Sequence, residues 1–412
     1  MKADVVVVGG GIVGCCTGYF LKKIGGKGLR VAIVERDNLF RTASTVLSAG
    51  GVRLQFSLKE NIQMSQFMPK FFEEVRGEND EENAVQFVQD GYLFLSQTED
   101  GAKTLKENCS LQKELGVQTD LLSPDRIKET FPWLNTDDLV AGSLGTSNEG
   151  WFDPWSLLRQ VRAKAQAQGV RFYENVHVDS FSLSDGEGAS KVSKVHLNDG
   201  ETIECGSVIV AAGAWSGHIA SKAGVSLPVE PRIRSVYAIR CPDAMSNASM
   251  WCPLTINPSG VYFRRESAKG SGMFICGRSP DACDDQPFDS NMTVEDIHHL
   301  FGAASSEYFE NNIWPELAHR SSVFEQLKVV SSWSGFYDYN TLDQNAIIGP
   351  SSKVPNLYVC SGFSGHGLQQ APAAARAVCE LLLSSKFESL DLTRFSFERL
   401  AKNQPIFETN IV

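Results

Sequence analysis

The chain has 412 residues, of which 42% are hydrophobic and 21% charged, a balance typical of a globular protein large enough for two packed domains. Its net charge of −11 argues against a broad nucleic-acid-binding surface, which would need clustered Lys and Arg side chains. The longest apolar runs, such as Val5–Val8 and Val208–Ala212, are much shorter than the roughly 18–20 residues of a membrane-spanning helix, so we expect no transmembrane segment.

Ten cysteines are scattered along the chain without a CxxC pair, which argues against a zinc ribbon or a thioredoxin-like site. A chain with this apolar content does not need a disulfide framework, so we expect free thiols in a reducing compartment. The pair His298-His299 lacks ligand partners and is interpreted as a solvated helix face rather than a metal site. The first predicted strand begins by Ala3, so no signal or transit peptide is expected before it. A solvated loop is expected at the acidic run Glu78, Asp80, Glu81 and Glu82.

The chain begins with two apolar strands separated by a glycine turn and a helix. The four valines Val5–Val8 are typical of a parallel strand that is buried on both faces. Gly25-Gly26 supplies residues that end a helix. The predicted βαβ unit is a strand over Ala3–Val8, a turn over Gly9–Gly14, a helix over Ile12–Ile24 and a strand over Leu29–Val34.

The turn contains the motif GxGxxG, formed by Gly9, Gly11 and Gly14. Gly9 permits the tight turn, Gly11 lets a pyrophosphate approach the backbone, and Gly14 lets the helix pack on the strand. The helix start offers phosphate a partial positive charge and free N–H groups, which we assign to Ile12 and Val13. The turn therefore predicts a phosphate site.

Glu35 ends the second strand, where an acidic side chain accepts hydrogen bonds from ribose hydroxyls. A glycine turn that served packing alone would leave Glu35 without a role. We therefore predict a dinucleotide site. FAD and NAD sites share this motif, so it does not choose between them.

The middle of the chain continues the α/β pattern. Asp153-Pro154 is a typical helix start, with a capping carboxylate and a proline in the first turn. Asn198-Asp199-Gly200 separates two alternating segments and predicts a hairpin turn. The predicted elements are a helix over Pro154–Gln168 and strands over Val170–Phe172, Lys194–Leu197, Glu201–Glu204 and Ser207–Ala211.

Aromatic-rich, alternating segments between these blocks predict a second, mainly antiparallel sheet. They lie at Gln86–Leu95, Arg234–Ile239, Gly260–Arg265 and Met273–Gly277, and an alanine-rich helix follows at Ala371–Leu383. We predict an α/β fold with a Rossmann-type dinucleotide-binding domain and an antiparallel-sheet substrate (cap) domain. The first domain would be discontinuous, over residues 1–85, 150–225 and 331–412, and the second would comprise residues 86–149 and 226–330.

Five segments beyond the glycine turn carry a family resemblance: Ala43–Gly51, Gly169–Val178, Val210–Ser216, Asn356–Tyr358 with Gly362–Gly367, and Asp391–Phe395 with Arg399. Together, and in this order, they resemble the D-amino-acid oxidase, sarcosine oxidase and dimethylglycine dehydrogenase superfamily. The resemblance implies a GR2-type Rossmann fold and FAD as the cofactor. It implies cofactor contacts at Arg36, Ser44, Ser48, Ala49, Gly50, Gly51, Val178, Ala212, Gly213, Trp215, Gly362, Ser364, Gly365, His366, Gly367, Leu368 and Gln369.

The resemblance also implies a flavin-dependent oxidoreductase that oxidises the C–N bond of a small amine or amino acid. In such enzymes the flavin does the redox chemistry and the protein positions the substrate. Arg53 follows the second flavin loop and is a candidate for holding a cofactor phosphate or a substrate carboxylate. A surface position for Arg53 is the alternative, because Arg36 and Arg41 are similar candidates nearby.

Three arginines lie on predicted strands of the substrate domain, and any of them could touch the substrate: Arg264, Arg265 and Arg278. Strand alternation lets only one of the adjacent pair face the pocket, and Arg264 is our candidate. His366 lies between glycines and is expected in the cofactor shell or in a structural role. Tyr337 and Tyr339 either line the pocket or pack in the core.

Departures from the family pattern bear on the chemistry. Leu368-Gln369 stand where sarcosine oxidases carry a lysine for the substrate carboxylate, and Ile275-Cys276 occupy the strand expected to carry an oxygen-activating lysine. The region before Asp343 has no Cys, and Leu47-Ser48 stand where some dehydrogenases place a His. We therefore expect non-covalent FAD, slow reaction with oxygen, and a dehydrogenase that passes electrons to a protein or quinone acceptor.

Three segments, Gly150–Trp155, Gly335–Asn340 and Gly365–Pro372, go beyond the general pattern. They resemble a branch of the family that is associated with assembly of mitochondrial respiratory complex I. This resemblance implies a mitochondrial location, in the matrix or at the matrix face of the inner membrane, with complex I assembly intermediates as partners. Two hypotheses stay open: a dehydrogenase, or an assembly factor with little turnover that retains FAD because bound FAD stabilises the native state.

Overall fold

The structure is a computed structural model, and it describes residues 1–76, 85–184, 189–241, 250–266, 271–289, 291–302 and 304–410. The acidic run at residues 78–82 lies outside the described residues. The strands are β1 (Lys2–Val8), β2 (Val31–Glu35), β3 (Gly51–Val52), β4 (Tyr92–Ser96), β5 (Thr119–Leu122), β6 (Ala141–Gly145), β7 (Gly150–Trp151), β8 (Arg171–Glu174), β9 (Val178–Ser184), β10 (Lys191–Leu197), β11 (Thr202–Val210), β12 (Val229–Arg240), β13 (Leu254–Ile256), β14 (Tyr262–Arg265), β15 (Met273–Gly277), β16 (Lys328–Asn340), β17 (Ile347–Pro350) and β18 (Leu357–Ser361).

The helices are α1 (Ile12–Gly25), α2 (Ser44–Leu47), α3 (Lys59–Val75), α4 (Glu99–Glu114), α5 (Pro124–Thr130), α6 (Pro154–Ala167), α7 (Ser216–Ser221), α8 (Val294–Phe301), α9 (Ser306–Asn312), α10 (Trp314–Arg320), α11 (Gly367–Ser384) and α12 (Glu398–Ala401). Short 3₁₀ turns lie at Gly213–Trp215, Ser322–Phe324 and Thr393–Phe395. None of the helices in the described ranges is both long and apolar enough to cross a membrane.

The first sheet carries the predicted βαβ unit. Its main path runs β17-β18-β11-β1-β2-β8, and the hairpin strand β10 adds β9 beside β11. The pairs β11–β1, β1–β2, β2–β8 and β18–β11 are parallel. Val5 and Val7 pack with α1, α6 and α11 on one face, while Val6 and Val8 pack with the β9–β10 side on the other. The alternation of side chains along a strand thus explains why all four valines are buried.

The second sheet has the order β16-β12-β15-β14-β13-β4-β6-β5. Its pairs are antiparallel except β13–β4, which is parallel. The long strands β12 and β16 pair over nearly their whole length, from Val229↔Asn340 to Arg240↔Lys328. β16 belongs to this sheet, although residues 331–340 fall in the range predicted for the dinucleotide-binding domain.

Three predicted elements need correction. Glu201–Glu204 and Ser207–Ala211 form one continuous strand, β11, because one run of backbone pairs with β10 at its start and with β1 through its end. Strand β4 begins only at Tyr92, since Gly91 has a positive φ of 88° and breaks the extended run. The alanine-rich helix begins a turn earlier than predicted, at Gly367, so Leu368 and Gln369 lie in its first turn.

The remaining predictions on His and Cys can be compared directly with the structure. His298 and His299 are exposed on α8, as expected for a solvated helix face. All ten cysteines lie in the described ranges and none forms a disulfide, and Cys283 alone among them is exposed.

Candidate active site and cofactor cleft

A cavity of about 710 Å³ lies between the two sheets, at the carboxyl ends of β1, β2 and β11. Its volume is within the roughly 300–1,000 Å³ of small-molecule sites, and open α/β sheets bind ligands at this edge. Most of the predicted cofactor residues line it: Gly9, Gly11, Ile12, Val13, Glu35, Arg36, Ser44, Ser48, Ala49, Gly51, Val178, Ala212, Gly213, Trp215, Gly365, His366, Gly367, Leu368 and Gln369.

Four predicted cofactor residues do not line the cavity, and each shapes the backbone instead. A Cβ on Gly14 would stand 1.9 Å from the carbonyl oxygen of Gly9, so Gly14 permits the close packing of α1 on β1. A Cβ on Gly50 would stand 2.2 Å from the Phe152 carbonyl oxygen. Gly362 and Ser364 both adopt positive φ angles, of 79° and 50°, in the loop that leads into α11.

The start of α1 forms the phosphate end of the cavity. Gly11 caps this 14-residue helix without a side-chain hydrogen bond, so its N-terminus opens into the cavity. A Cβ on Gly11 would meet only the Thr45 hydroxyl oxygen, at 3.2 Å, and would otherwise occupy the space of a ligand. The same hydroxyl accepts the Ile12 N–H at 3.1 Å, so the hydrogen of Ile12 is already used. Thr45 was not assigned a role from the sequence.

Glu35 is held in place at the ribose position. One carboxylate oxygen accepts the Gly10 N–H at 2.7 Å, and the other accepts the Asp37 N–H at 2.9 Å. Burial raises the pKa of Glu35, and these two N–H groups oppose the rise. Each oxygen keeps a free lone pair, so the carboxylate can also accept a ribose hydroxyl.

Arg36 and Trp215 also line the cavity, together with Val178. The Arg36 guanidinium lies 3.5 Å from the centre of the Trp215 ring and donates to the Thr42 hydroxyl at 3.2 Å. Burial lowers the pKa of Arg36 to about 10, and Glu35 opposes the shift. A flat cation stacked on indole in this position can cover a nucleotide base or ribose.

Asp338 orders the flavin loop, which we define as residues 361–367. One carboxylate oxygen accepts the N–H groups of Gly362 and Phe363, at 2.8 and 3.1 Å, and the Ser361 hydroxyl at 3.3 Å. Burial raises the pKa of Asp338 to about 6, against the effect of those donors. The role of Asp338 was not predicted from the sequence, because β16 meets this loop only in the folded chain.

Arg53 lies at the flavin-loop end of the cavity and is 3% exposed, so the surface alternative is wrong. It donates to the Gln55 carbonyl at 2.8 Å and lies 2.9 Å from His366 Nε2. Burial lowers the pKa of Arg53, and burial with the charge of Arg53 lowers the pKa of His366 to about 3. His366 is therefore neutral at physiological pH, and its Nε2 accepts the hydrogen bond from Arg53.

Aromatic and aliphatic side chains of the second sheet form the wall opposite Arg53. Tyr337 lines the cavity and packs on the flavin loop, where a Cβ on Gly365 would stand 2.5 Å from the Tyr337 ring. Tyr339 does not line the cavity and has Arg232 above its ring, at 5.1 Å. Other side chains on the wall, none of which was predicted, are Tyr92, Val236, Leu254, Ile256 and Tyr262.

The expectation that Arg264 contacts substrate does not agree with the structure. Arg264 donates to the Ala49 carbonyl at 2.8 Å, pairs with Glu266 at 2.7 Å and stacks on Trp151, so it supports the second flavin loop from behind. Arg265 binds the Met250 carbonyl, and Arg278 pairs with Asp281. All three arginines are absent from the cavity lining.

Glu149 supports the backbone around Arg53 and was also missed. Its buried carboxylate accepts the Leu54 N–H, the Gln55 N–H at 3.1 Å and the Gln55 side-chain amide at 3.0 Å. Burial raises the pKa of Glu149 to about 7. Gln369 also holds this segment, since its side-chain oxygen accepts the Arg53 N–H at 2.7 Å.

The C-terminal tail covers the segment that follows Arg53. Glu408 accepts the N–H groups of Ser57 and Leu58, at 2.6 and 3.1 Å, and the Asn61 amide at 3.0 Å. Asn410 donates its side-chain amide to the Gln55 carbonyl at 2.8 Å. The carbonyl that holds Arg53 is therefore itself held by the tail.

These features fit FAD. The N-terminus of α1 opens into the cavity and suits a pyrophosphate through its N–H groups other than that of Ile12, which Thr45 already binds. The position of Gly11 leaves room for the pyrophosphate, and the Glu35 carboxylate suits a ribose. The flavin loop and Arg53 then face the remaining, substrate end of the cavity.

Comparisons with known proteins agree. The family described as FAD dependent oxidoreductase (DAO) matches residues 4–381. FAD-dependent oxidoreductase domain-containing protein 1 of Xenopus laevis is 42% identical over 100% of this chain and 85% of its own length. Human mitochondrial sarcosine dehydrogenase is 31% identical over 95% of this chain and 41% of its own length. The crystal structure of L-proline dehydrogenase from P. horikoshii superposes with a TM-score of 0.82 and 25% identity, covering 98% of this chain and 99% of that one.

The matches confirm the family resemblance, the fold class and FAD as the cofactor. The relatives include enzymes whose names refer to small amino acids, and the match extends over nearly the whole chain. The chain belongs to the DAO family of FAD-dependent oxidoreductases.

Proposed function

We propose that this chain is a dehydrogenase that oxidises the C–N bond of a small amino acid, with FAD bound non-covalently. The observation that carries the proposal is Arg53, a buried guanidinium on the cavity wall that forms no ion pair with any carboxylate in the described residues. Glu149 and Glu408 act on this buried charge only through space. Burying a charge without a direct partner is costly, and a ligand carboxylate would provide that partner.

Arg53 keeps donors available for such a ligand. A guanidinium has five N–H groups in a planar fork, and the hydrogen bonds to the Gln55 carbonyl and His366 leave some of them free. A bidentate contact with a carboxylate fixes the orientation of the ligand as well as its position. Sarcosine dehydrogenase, glycine oxidase and L-proline dehydrogenase are named for amino acids, which supports an amino-acid substrate here.

FAD, when bound, supplies the two-electron acceptor for oxidation of the C–N bond. Arg53 would hold the substrate carboxylate so that the C–N bond faces the flavin loop. Tyr337 and its neighbours on the wall would exclude water from the reacting carbon. His366 would keep the guanidinium oriented, because a neutral imidazole accepts a hydrogen bond without adding charge.

The positions of the lysines support a dehydrogenase rather than an oxidase. Among the described cavity-lining residues, the one lysine is Lys222. It follows α7, the helix that carries His218, close to Arg36. Among the described residues, the substrate end around Arg53 and Tyr337 therefore has no cavity-lining lysine to stabilise the negative charge that develops as oxygen is reduced. We propose a protein or quinone as the electron acceptor.

The test is anaerobic mixing of the FAD-loaded protein with L-proline, sarcosine and glycine, followed through the flavin absorbance. We expect at least one of them to reduce the flavin. Arg53→Met should raise the substrate concentration for half-maximal reduction about a hundredfold, because it removes a charge-assisted bidentate contact. Arg278→Met serves as the matched control, since Arg278 pairs with Asp281 outside the cavity.

A second candidate function is that of a mitochondrial assembly factor that retains FAD and turns over little. It is supported by the 38–42% identity with FAD-dependent oxidoreductase domain-containing protein 1 and by the three segments that resemble the branch associated with complex I assembly. Its partners would be complex I assembly intermediates. Flavin that is reduced by light but by none of the amino acids would favour this candidate.

A further inference from the structure

Arg234 lines the cavity together with Arg36 and Arg53, and unlike Arg53 it is already paired with a carboxylate. Arg234 and Val236 alternate on β12 and both face the cavity. The two terminal nitrogens of Arg234 bind the two carboxylate oxygens of Asp285, at 2.7 and 2.8 Å. Both side chains are only 11% exposed, and the guanidinium lies 4.9 Å from the centre of the Tyr337 ring.

Asp285 comes from the segment Asp281–Asp289, which joins β15 to α8. Most of this segment is exposed, but Asp285 turns inward to Arg234. The segment is also tied to β12 by the hydrogen bond from the Phe288 N–H to the Pro231 carbonyl, at 2.9 Å. The carboxylate is therefore held against the cavity wall from outside.

Of the three arginines that line the cavity, Arg53 and Arg234 thus differ in their electrostatic state. Both act on Tyr337, because burial raises the pKa of Tyr337 and the charges of Arg234 and Arg53 oppose the rise. The Arg53 fork has no carboxylate partner, whereas Asp285 fills the Arg234 fork. A ligand with a second carboxylate would meet, at Arg234, a guanidinium whose two terminal nitrogens already bind Asp285.

We propose that Asp285 is a specificity-determining residue that restricts the site to amino acids with a single carboxylate. This inference rests on the proposed function, in which Arg53 binds that carboxylate. Asp285 acts in two ways: it occupies the bidentate face of Arg234, and it repels a second anionic group. The neighbouring wall is formed by Val236, Leu254 and Ile256, so the rest of the substrate should be uncharged and largely apolar.

The experiment compares one-carboxylate and two-carboxylate probes. Acetate and succinate are titrated into the FAD-loaded protein, and their dissociation constants are measured by perturbation of the flavin spectrum and by calorimetry. Asp285→Asn should tighten succinate about ten- to a hundredfold and leave acetate within about twofold, as expected when a charge-assisted contact becomes available. Asp285→Ala tests the same step with no side chain left to bind Arg234.

Two further variants make the result specific to the ion pair. Asp284→Asn is the matched control, because Asp284 stands on the same segment while both terminal nitrogens of Arg234 bind Asp285. It should change neither dissociation constant. Asp285→Asn combined with Arg234→Gln should cancel the gain for succinate.

The outcomes separate this inference from the proposed function. A succinate-to-acetate ratio that is unchanged in both Asp285 variants overturns the role of Asp285. If Arg53→Met leaves acetate binding intact while the Asp285 variants still tighten succinate more than acetate, a group other than Arg53 binds the first carboxylate. In that case Arg53 is not the anchor and the proposed function loses its main support, but the gating role of Asp285 stands.

Discussion

Replacement of Asp338 should weaken FAD binding without unfolding the chain. In Asp338→Ala the N–H groups of Gly362 and Phe363 and the Ser361 hydroxyl lose their common acceptor. A buried donor without a partner costs about 1–3 kcal/mol, so the two N–H groups together cost roughly 2–5 kcal/mol in the ordered loop. The apoprotein can relieve that cost by loosening the loop, whereas the FAD complex cannot.

The cost should therefore appear in the affinity for FAD, with a dissociation constant raised about 30- to 5,000-fold. Titration of apoprotein with FAD, followed by the quenching of flavin fluorescence, measures it. Because all three donors meet the same oxygen of Asp338, Asp338→Asn can keep them with its amide oxygen and should stay within about tenfold of wild type. Wild-type affinity in Asp338→Ala would refute the reasoning, since the loop would then not need this acceptor.

Three further predictions test other parts of the site. Gly11→Val should fold but fail to retain FAD, whereas Gly14→Ala should lower the free energy of unfolding of the apoprotein, because only the side chain of Ala at position 14 would strike backbone. Thermal denaturation and flavin content distinguish the two variants. Full FAD occupancy in Gly11→Val would show that the phosphate site lies elsewhere. Burial raises the pKa of Glu149 from 4.5 to about 7, so the folded chain binds more protons than the unfolded chain between these pH values, and the contribution of Glu149 to the free energy of unfolding falls by about 3 kcal/mol as pH rises through them. Denaturant titrations at pH 5 and pH 8 should show that the free energy of unfolding of Glu149→Gln, relative to wild type, is higher at pH 8 than at pH 5. An equal difference at both pH values would count against the shift. Reduced flavin should react with oxygen about 10²- to 10³-fold more slowly than in an amine oxidase with a lysine at the flavin. Stopped-flow mixing of the reduced protein with air-saturated buffer measures this rate, and fast reoxidation would favour an oxidase.

Local patterns were sufficient for the cofactor half of the site. The glycine turn, the apolar strand before it and Glu35 lie close together in the sequence, and their roles depend on backbone geometry that short motifs specify. The resemblance extended this to loops far apart in the chain, such as Ala43–Gly51 and the flavin loop. Those two loops contribute Ser44, Ser48, Ala49, Gly51, Gly365, His366 and Gly367 to the cavity lining.

The substrate half could not be predicted in the same way. Asp338, Glu149 and Asp285 act by reaching partners on other elements, and a single sequence does not show which distant strands become neighbours. Arg264 illustrates the converse case, because strand alternation left open which face of β14 would meet the cavity. The sequence made Arg53 a candidate beside the second flavin loop and left a surface position open. Only the fold shows that Arg53 is buried and forms no direct ion pair with a carboxylate in the described residues.

Strand β16 has a mechanical consequence for how substrate enters. It pairs with β12 in the second sheet. It is also hydrogen-bonded to the cofactor half, through Asp338 and through the Phe336 carbonyl, which accepts the Ser44 hydroxyl. Domains normally hinge where few bonds cross between them. Here a rigid rotation of one sheet away from the other would break the bonds that shape the flavin loop. We therefore expect substrate entry and product exit to rely on local movement of surface segments. The two sheets would keep their relative position during the catalytic cycle.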